Sequence, residues 1–159
     1  MTHSLTLDSP VGALTIAEEA GAIAAIGWGG PRRHDRTALL AEAERQLIAY
    51  FAGKLRHFDL PLAPQGSRFD LAVWRAMQQI PYGETRSYGE LAHAVGSAPR
   101  AVGGACGRNP IPVVVPCHRV LSRTGLGGYS GAGGLQTKTS LLALEGAAAG
   151  AGAGAAVAA

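Results

Sequence analysis

Two residues that together can do nucleophilic chemistry stand side by side in VVVPCHRV, residues 113–120: Cys117 and then His118. A free thiol has a pKa of about 8.5, so near neutrality it becomes a nucleophile only beside a base or in a positive field. His118 is the candidate base, because its own titration falls near neutral pH. A histidine in that role is usually oriented by an acid, and the only acidic residue downstream is Glu145, in LLALEG. The other reading of a Cys-His dipeptide is a buried structural cysteine beside a surface histidine, and the pair alone leaves both open.

Adjacent side chains on a regular strand point to opposite faces, so Cys117 and His118 share a pocket only if the chain bends there. Pro116 fixes its own φ and biases Val115 toward extended geometry, so VVV reads as a buried strand that ends as the cysteine emerges. Upstream, NPIP supplies Asn109, whose side chain can hold a turn by bonding nearby backbone groups.

The elements that must carry these residues come from 159 residues, 47% hydrophobic and 16% charged, enough for one compact domain or two small ones. No stretch approaches the ~18 apolar residues of a membrane span, and the first residues lack a basic, then apolar, leader pattern. A cytoplasmic protein without membrane contact is expected. The two cysteines, Cys106 and Cys117, are too few for a disulfide scaffold, and too few for a zinc site unless several of the five histidines contributed. Free thiols and no metal are expected.

Charge is distributed unevenly. Residues 1–64 carry six Lys or Arg against seven Asp or Glu, whereas residues 65–159 carry eight against four. From Arg86 to Lys138 the single acid is Glu90, beside Arg86, Arg100, Arg108, Arg119, Arg123 and Lys138. Such one-sided basicity suits a polyanionic partner bound through phosphate contacts, with a merely solvated basic face as the alternative.

SLTLDSPVGALTIAEEAGAIAAIGWGG alternates with period two between turn residues and predicts an antiparallel meander. TALLAEAERQLIAYFAG has Leu40, Leu47, Ile48 and Phe51 at helical spacing and stops at Gly53. LRHFDLPLAP predicts one further strand, and the Pro64 to Gly66 linker marks a domain boundary. The predicted units are 1–64, 65–146 and an Ala/Gly tail, 147–159, expected to be disordered and without function.

SRFDLAVWRAMQQIP sets Phe69, Val73, Trp74 and Met77 on one face of a helix that ends by Pro81. SYGELAHAVG and APRAVGGACGRNP predict two more, with Ser87 as N-cap and Gly96 between them, the outline of a helix-turn-helix. The second of these offers small residues where long side chains would read base edges, and Gly103 and Gly104 each cost about 1 kcal/mol of helix propensity relative to Ala. Close approach to a narrow groove and tight packing against a neighbouring helix both explain such a face.

In this company PCHRV resembles the O6-alkylguanine-DNA alkyltransferases, also called methylated-DNA–protein-cysteine methyltransferases. The resemblance runs through TLDSPVGALTIA, YFAGKLRHFDLPL, FDLAVWRAMQQIPYGETRSYGELA, RAVGGACGRNP, IPVVVPCHRV and GGYSG, nearly the whole chain, and is to the short single-chain form. It implies a mixed α/β (α+β) fold. A small ribonuclease-H-like sheet-plus-helix domain is followed by a mainly helical, winged helix-turn-helix-like alkyltransferase domain. It implies repair of O6-alkylguanine, and of O4-alkylthymine, in double-stranded DNA by a monomer without cofactor.

Position by position, the resemblance makes Cys117 the alkyl acceptor, His118 its base through a bound water, Glu145 the acid that orients the base and Asn109 the turn-stabilising asparagine. Tyr88 becomes the pocket tyrosine that helps protonate the leaving guanine, and Arg100 the finger that fills the stack after the base is flipped through the minor groove. Tyr129 and Ser130 belong to the loop over the base, and main-chain carbonyls near Cys117 and Val120 accept the exocyclic amine. Ala101, Gly103 and Gly104, with Arg108 and Arg123, fall to the DNA-binding face.

The chemistry agrees with that assignment. A base inside a duplex hides its O6, so reaction there requires extrusion. The product is a thioether, which water does not hydrolyse and Cys106 cannot resolve by disulfide exchange, so one turnover per molecule is expected. Three rivals exist: an alkyltransferase-like lesion binder, which would lack the acceptor cysteine; a Cys-His hydrolase, for which adjacent residues give awkward geometry; and a plain helix-turn-helix regulator, which leaves PCHRV unexplained.

Overall fold

The structure, a computed structural model, describes residues 2–147. All but the first residue of the Ala/Gly tail lies outside the described residues. The chain divides into two compact units between Gln65 and Gly66.

In the first unit β1 (Thr2–Leu7), β2 (Leu14–Glu19) and β3 (Ala22–Trp28) form an antiparallel sheet in that order. The register pairs Leu5 with Ile16 and Ile16 with Ile26, which stacks the buried apolar residues on one face. Ile23 and Ile26 are both buried although an odd spacing puts regular strand residues on opposite faces. The irregularity opposite Ala17 and Glu18 absorbs the extra residue. Helix α1 (Ala38–Phe51) starts at Thr37, whose hydroxyl accepts from the Leu40 amide at 3.0 Å, and lays Leu40, Ala43, Leu47 and Tyr50 against the sheet. Each fully buried leucine of that face contributes about 1.5–3 kcal/mol of apolar burial.

LRHFDLPLAP is not a strand. It meets the sheet only where Ile23 bridges Leu62, with the Ile23 amide donating to Pro61 O and the Ala63 amide to Ile23 O, both at 2.8 Å. Pro61 and Pro64 lack amide donors, so no longer ladder can form.

In the second unit α2 (Arg68–Gln78) opens with a capping box: Ser67 Oγ accepts from the Asp70 amide and the Asp70 carboxylate from the Ser67 amide. Buried Trp74 donates from Nε1 to Ala105 O at 2.8 Å. A methyl group on Gly66 would stand 2.5 Å from that indole, which is why the linker ends in glycine. Helix α3 (Tyr88–Val95), capped by Ser87 and Glu90, turns at Gly96 with φ +69° into α4 (Pro99–Gly107). The helix-turn-helix outline is therefore present. A parallel pair, β4 (Arg86–Ser87) and β5 (Val120–Leu121), and α5 (Leu135–Glu145) complete the unit. Among the described residues no helix is long and apolar enough to cross a membrane.

Candidate active site

The apolar run before the cysteine is a buried turn, not a strand. Val113 sits at φ +73°, the Val115 amide donates to Ile111 O at 2.9 Å and the Cys117 amide to Val115 O at 2.8 Å. A β-branched residue in the left-handed region is strained, and the turn persists because other groups over-determine it. Asn109 is the chief of them. Its Oδ1 accepts from the Ile111 amide at 3.0 Å and its Nδ2 donates to Val115 O at 2.8 Å, so one side chain satisfies both ends of the loop. Sequence periodicity misreads this segment because burial of every residue from 111 to 121 gives a strand-like apolar run whatever the backbone does.

The chain does bend at the Cys117–His118 pair, in a single 3-10 turn, Cys117–Arg119. Both side chains are buried, and the thiol is also within reach of the Asn109 amide. Burial pushes the Cys117 thiol up, while Asn109 and the Lys138 ammonium oppose that rise. His118 Nε2 lies 2.8 Å from Glu145 Oε2, with both side chains fully buried. The carboxylate is an acceptor, so Nε2 carries the proton and Nδ1 is the basic nitrogen. Among the described residues Nδ1 has no protein partner.

A cavity of about 400 Å³ opens in front of the thiol. Cys117 forms part of its wall, with Tyr88 from α3, Gly103, Cys106 and Gly107 from α4, and Gly128, Tyr129 and Ser130 from the loop before α5. The loop is closely fitted to the tyrosine: a methyl group on Gly127, at φ +72°, would stand 2.8 Å from Tyr88 Cε2. Burial, then the two neighbouring thiols, pushes Tyr88 up to about 12, so it stays protonated and able to donate. The second cysteine shares this wall, and burial pushes Cys106 up to about 12 as well, its thiol directed at Met77 Sδ, 3.6 Å away. That leaves it a packing thiol.

Both halves of the chain match one family. Residues 3–64 match its profile described as "6-O-methylguanine DNA methyltransferase, ribonuclease-like domain" and residues 68–147 that described as "6-O-methylguanine DNA methyltransferase, DNA binding domain". The chain belongs to the methylated-DNA–protein-cysteine methyltransferase family. It is 48% identical to the methyltransferase of that name from Mycolicibacterium paratuberculosis over 91% of this chain and 93% of the relative. The constitutive enzyme of Bacillus subtilis is 43% identical over 91% and 96%. Among solved structures, the Mycobacterium tuberculosis O6-methylguanine methyltransferase superposes with TM-score 0.83 at 44% identity, covering 92% of this chain and 93% of that one. The same organism's OGT in complex with DNA superposes with TM-score 0.82 at 44% identity, covering 91% and 92%.

The chain is thus a methyltransferase of DNA repair that moves an alkyl group to a protein cysteine, with DNA as its partner. Its two folded units are the ribonuclease-like and DNA-binding domains of that family. In this methyltransferase Arg100 and Arg123 are exposed, the first near the start of α4 and the second in the turn after β5. Ala101 and Gly103 lie on α4 half-buried. Arg108 is just over half exposed, and its fork grips the buried Asp70 carboxylate at 2.7 and 3.1 Å. Gly104 makes room for that grip, since a methyl group there would lie 3.2 Å from the guanidinium. Neither glycine packs against a neighbouring helix: Gly104 meets only the Arg108 side chain at the end of its own helix, and Gly103 faces open space beside the cavity. Val120 does not line the cavity. Its carbonyl accepts from Lys138 Nζ at 2.7 Å.

Two buried cations escaped the sequence reading as site residues. Arg119 bonds Glu145, and Lys138 donates to the carbonyls of Val120, Leu126 and Gly128, tying the cavity loop to α5. A signal existed for Lys138: with Leu141, Leu142 and Glu145 it falls at helical spacing on the buried face.

Burial, its largest influence, holds His118 below its ordinary value of 6.5, against the pull of Glu145. The unfolded chain therefore binds a proton below about pH 6.5 that the folded chain does not, so stability falls as pH drops through that value. Thermal melts between pH 8 and 5 should show the loss, and His118→Gln should flatten that limb.

Proposed function

We propose that the chain removes the alkyl group from O6 of guanine in double-stranded DNA, and from O4 of thymine, onto Cys117, irreversibly and once per molecule. One observation carries this reading: the buried thiol, Tyr88 and the Tyr129–Ser130 loop all line one cavity, and His118, bonded to Glu145, follows the thiol in the same buried turn. The thiol proton passes through a bound water to His118 Nδ1. Sγ then attacks the alkyl carbon, the C–S bond forms as the C–O6 bond breaks, and the electron pair leaves on O6. Tyr88 donates a proton as that charge develops, which is what makes guanine a leaving group.

The target base reaches this cavity by rotating out of the duplex through the minor groove. Opening a damaged pair costs less than opening an intact one, which favours the lesion. Arg100 enters the stack behind the base, and Arg123 and the small-residue face of α4 follow the groove and its phosphates. The protein acts as a monomer.

Incubation with an oligonucleotide containing O6-methylguanine should add one methyl to the peptide holding Cys117 and leave guanine in the DNA. An unmodified Cys117 with intact lesion sinks the reading. Arg100→Ala should slow repair at least tenfold, with the alkylated product still forming. DNA affinity should fall steeply with salt, as release of counterions from phosphate contacts requires. A repair rate equal to the native one in Arg100→Ala removes the finger role.

A further inference from the structure

We propose that Arg119 is a positioning residue for this reaction: its guanidinium fixes the Glu145 carboxylate so that His118 is held as one tautomer, with Nδ1 as the basic nitrogen. The inference rests on the reading of His118 as the base for Cys117.

The geometry is that of a planar fork on a planar acceptor. Arg119 Nε donates to Glu145 Oε1 at 2.8 Å and Nη2 to Oε2 at 3.0 Å, and Oε2 also accepts from His118 Nε2 at 2.8 Å. The remaining arm, Nη1, donates to Ile80 O at 2.7 Å, just beyond α2, and the guanidinium carbon stands 5.8 Å from the centre of the Tyr82 ring. All three side chains are buried, Arg119 at 8% exposure and the other two at 0%. A carboxylate held only by a histidine can rotate and trade oxygens. Held by the fork, its plane is set by two parallel bonds and the arginine's by a third contact on another element.

Charge points the same way. His118 is faced by Glu145 and Lys138 from α5 and by Arg119 from its own turn. Glu145 alone would favour an imidazolium, which cannot act as a base. Burial chiefly keeps the resting histidine neutral against that pull, and the Arg119 charge works in the same direction, so His118 gains its proton only when the thiol gives one up. Lysine carries the same charge without the fork, and so it separates neutralisation from orientation.

The test compares Arg119→Lys, Glu145→Gln and the double variant in single-turnover methyl transfer, with ¹⁵N spectra of the His118 ring. Arg119→Lys should slow transfer tenfold to a hundredfold, the usual cost of losing a partner that orients a reacting group. Its His118 should show mixed tautomers where the native protein shows Nε2–H alone. In the Glu145→Gln background the lysine should cost nothing further. Equal losses in both backgrounds with an unchanged tautomer would mean that Arg119 serves only folding, and overturn the proposal. Native transfer by Glu145→Gln removes the base reading itself, and the proposal with it, without Arg119 having been touched. If Arg119→Lys melts below the assay temperature, the native spectrum decides: a mixture of tautomers overturns the proposal, and a single Nε2–H form supports it.

Discussion

Cys117→Ala is expected to bind lesion-containing DNA with near-native affinity and to transfer no methyl group at all. Of the two thiols on the cavity wall, Cys117 is the one proposed to have a base, His118, whereas Cys106 is buried and directed at Met77 Sδ. The residues proposed to hold DNA, Arg100 and Arg123, lie on the surface and do not change. Binding is read by gel shift and transfer by peptide mass. Any methyl found on the variant, on Cys106 or elsewhere, would mean that Cys117 is not the sole acceptor. The same buried setting predicts what reaction does to the native protein. Residues 111–121 are all buried, so a methyl on Sγ that turns away from the cavity overpacks the turn and should lower stability by about 1–3 kcal/mol. The alkylated protein should melt earlier than the unreacted one.

Lys138→Met should have the second large effect, on stability and rate together. The ammonium is fully buried and donates to Val120 O at 2.7 Å, to Gly128 O at 3.0 Å and to Leu126 O. Burial pulls its pKa down to about 8, while the nearby thiols oppose that fall, and the three carbonyls also favour the charged form. Methionine has nearly the same volume and no donor. The Val120 carbonyl is then left buried without this partner, whereas the two loop carbonyls can turn to water, so the net loss is about 2–4 kcal/mol. That corresponds to a fall in Tm of roughly 5–15 °C for a chain of this size. With its anchor gone, the loop bearing Tyr129 and Ser130 should close on the base less often, and transfer should slow more than tenfold. A native Tm would show that these three bonds contribute nothing.

The sequence carried the local structure wherever one residue decides it. Ser87 announces a helix start, Gly96 announces the turn between α3 and α4, and the period-two alternation places the meander. It failed where distant groups decide. Nothing local shows that Val113 adopts a left-handed backbone, because what holds it there is Asn109 reaching across six residues to Val115. LRHFDLPLAP read as a strand, but its prolines cannot donate to a ladder and only Leu62 bridges the sheet. In the site, Cys117, His118, Glu145 and Asn109 were legible as types and spacing. Arg119 was not, since an arginine reads as solvated until its acid is known to be buried 26 residues away.

The pair β4–β5 is only two residues long, yet it fixes a measurement. Arg86 registers on Val120 and Ser87 on Leu121. Tyr88 follows directly after the first strand, and the turn Cys117–Arg119 ends directly before the second. Tyr88 and Cys117, the proposed proton donor and nucleophile, are therefore gauged from the same two rungs, one stepping forward and one stepping back. A substitution that shifts this register by one residue would leave every site residue present and the calibration lost.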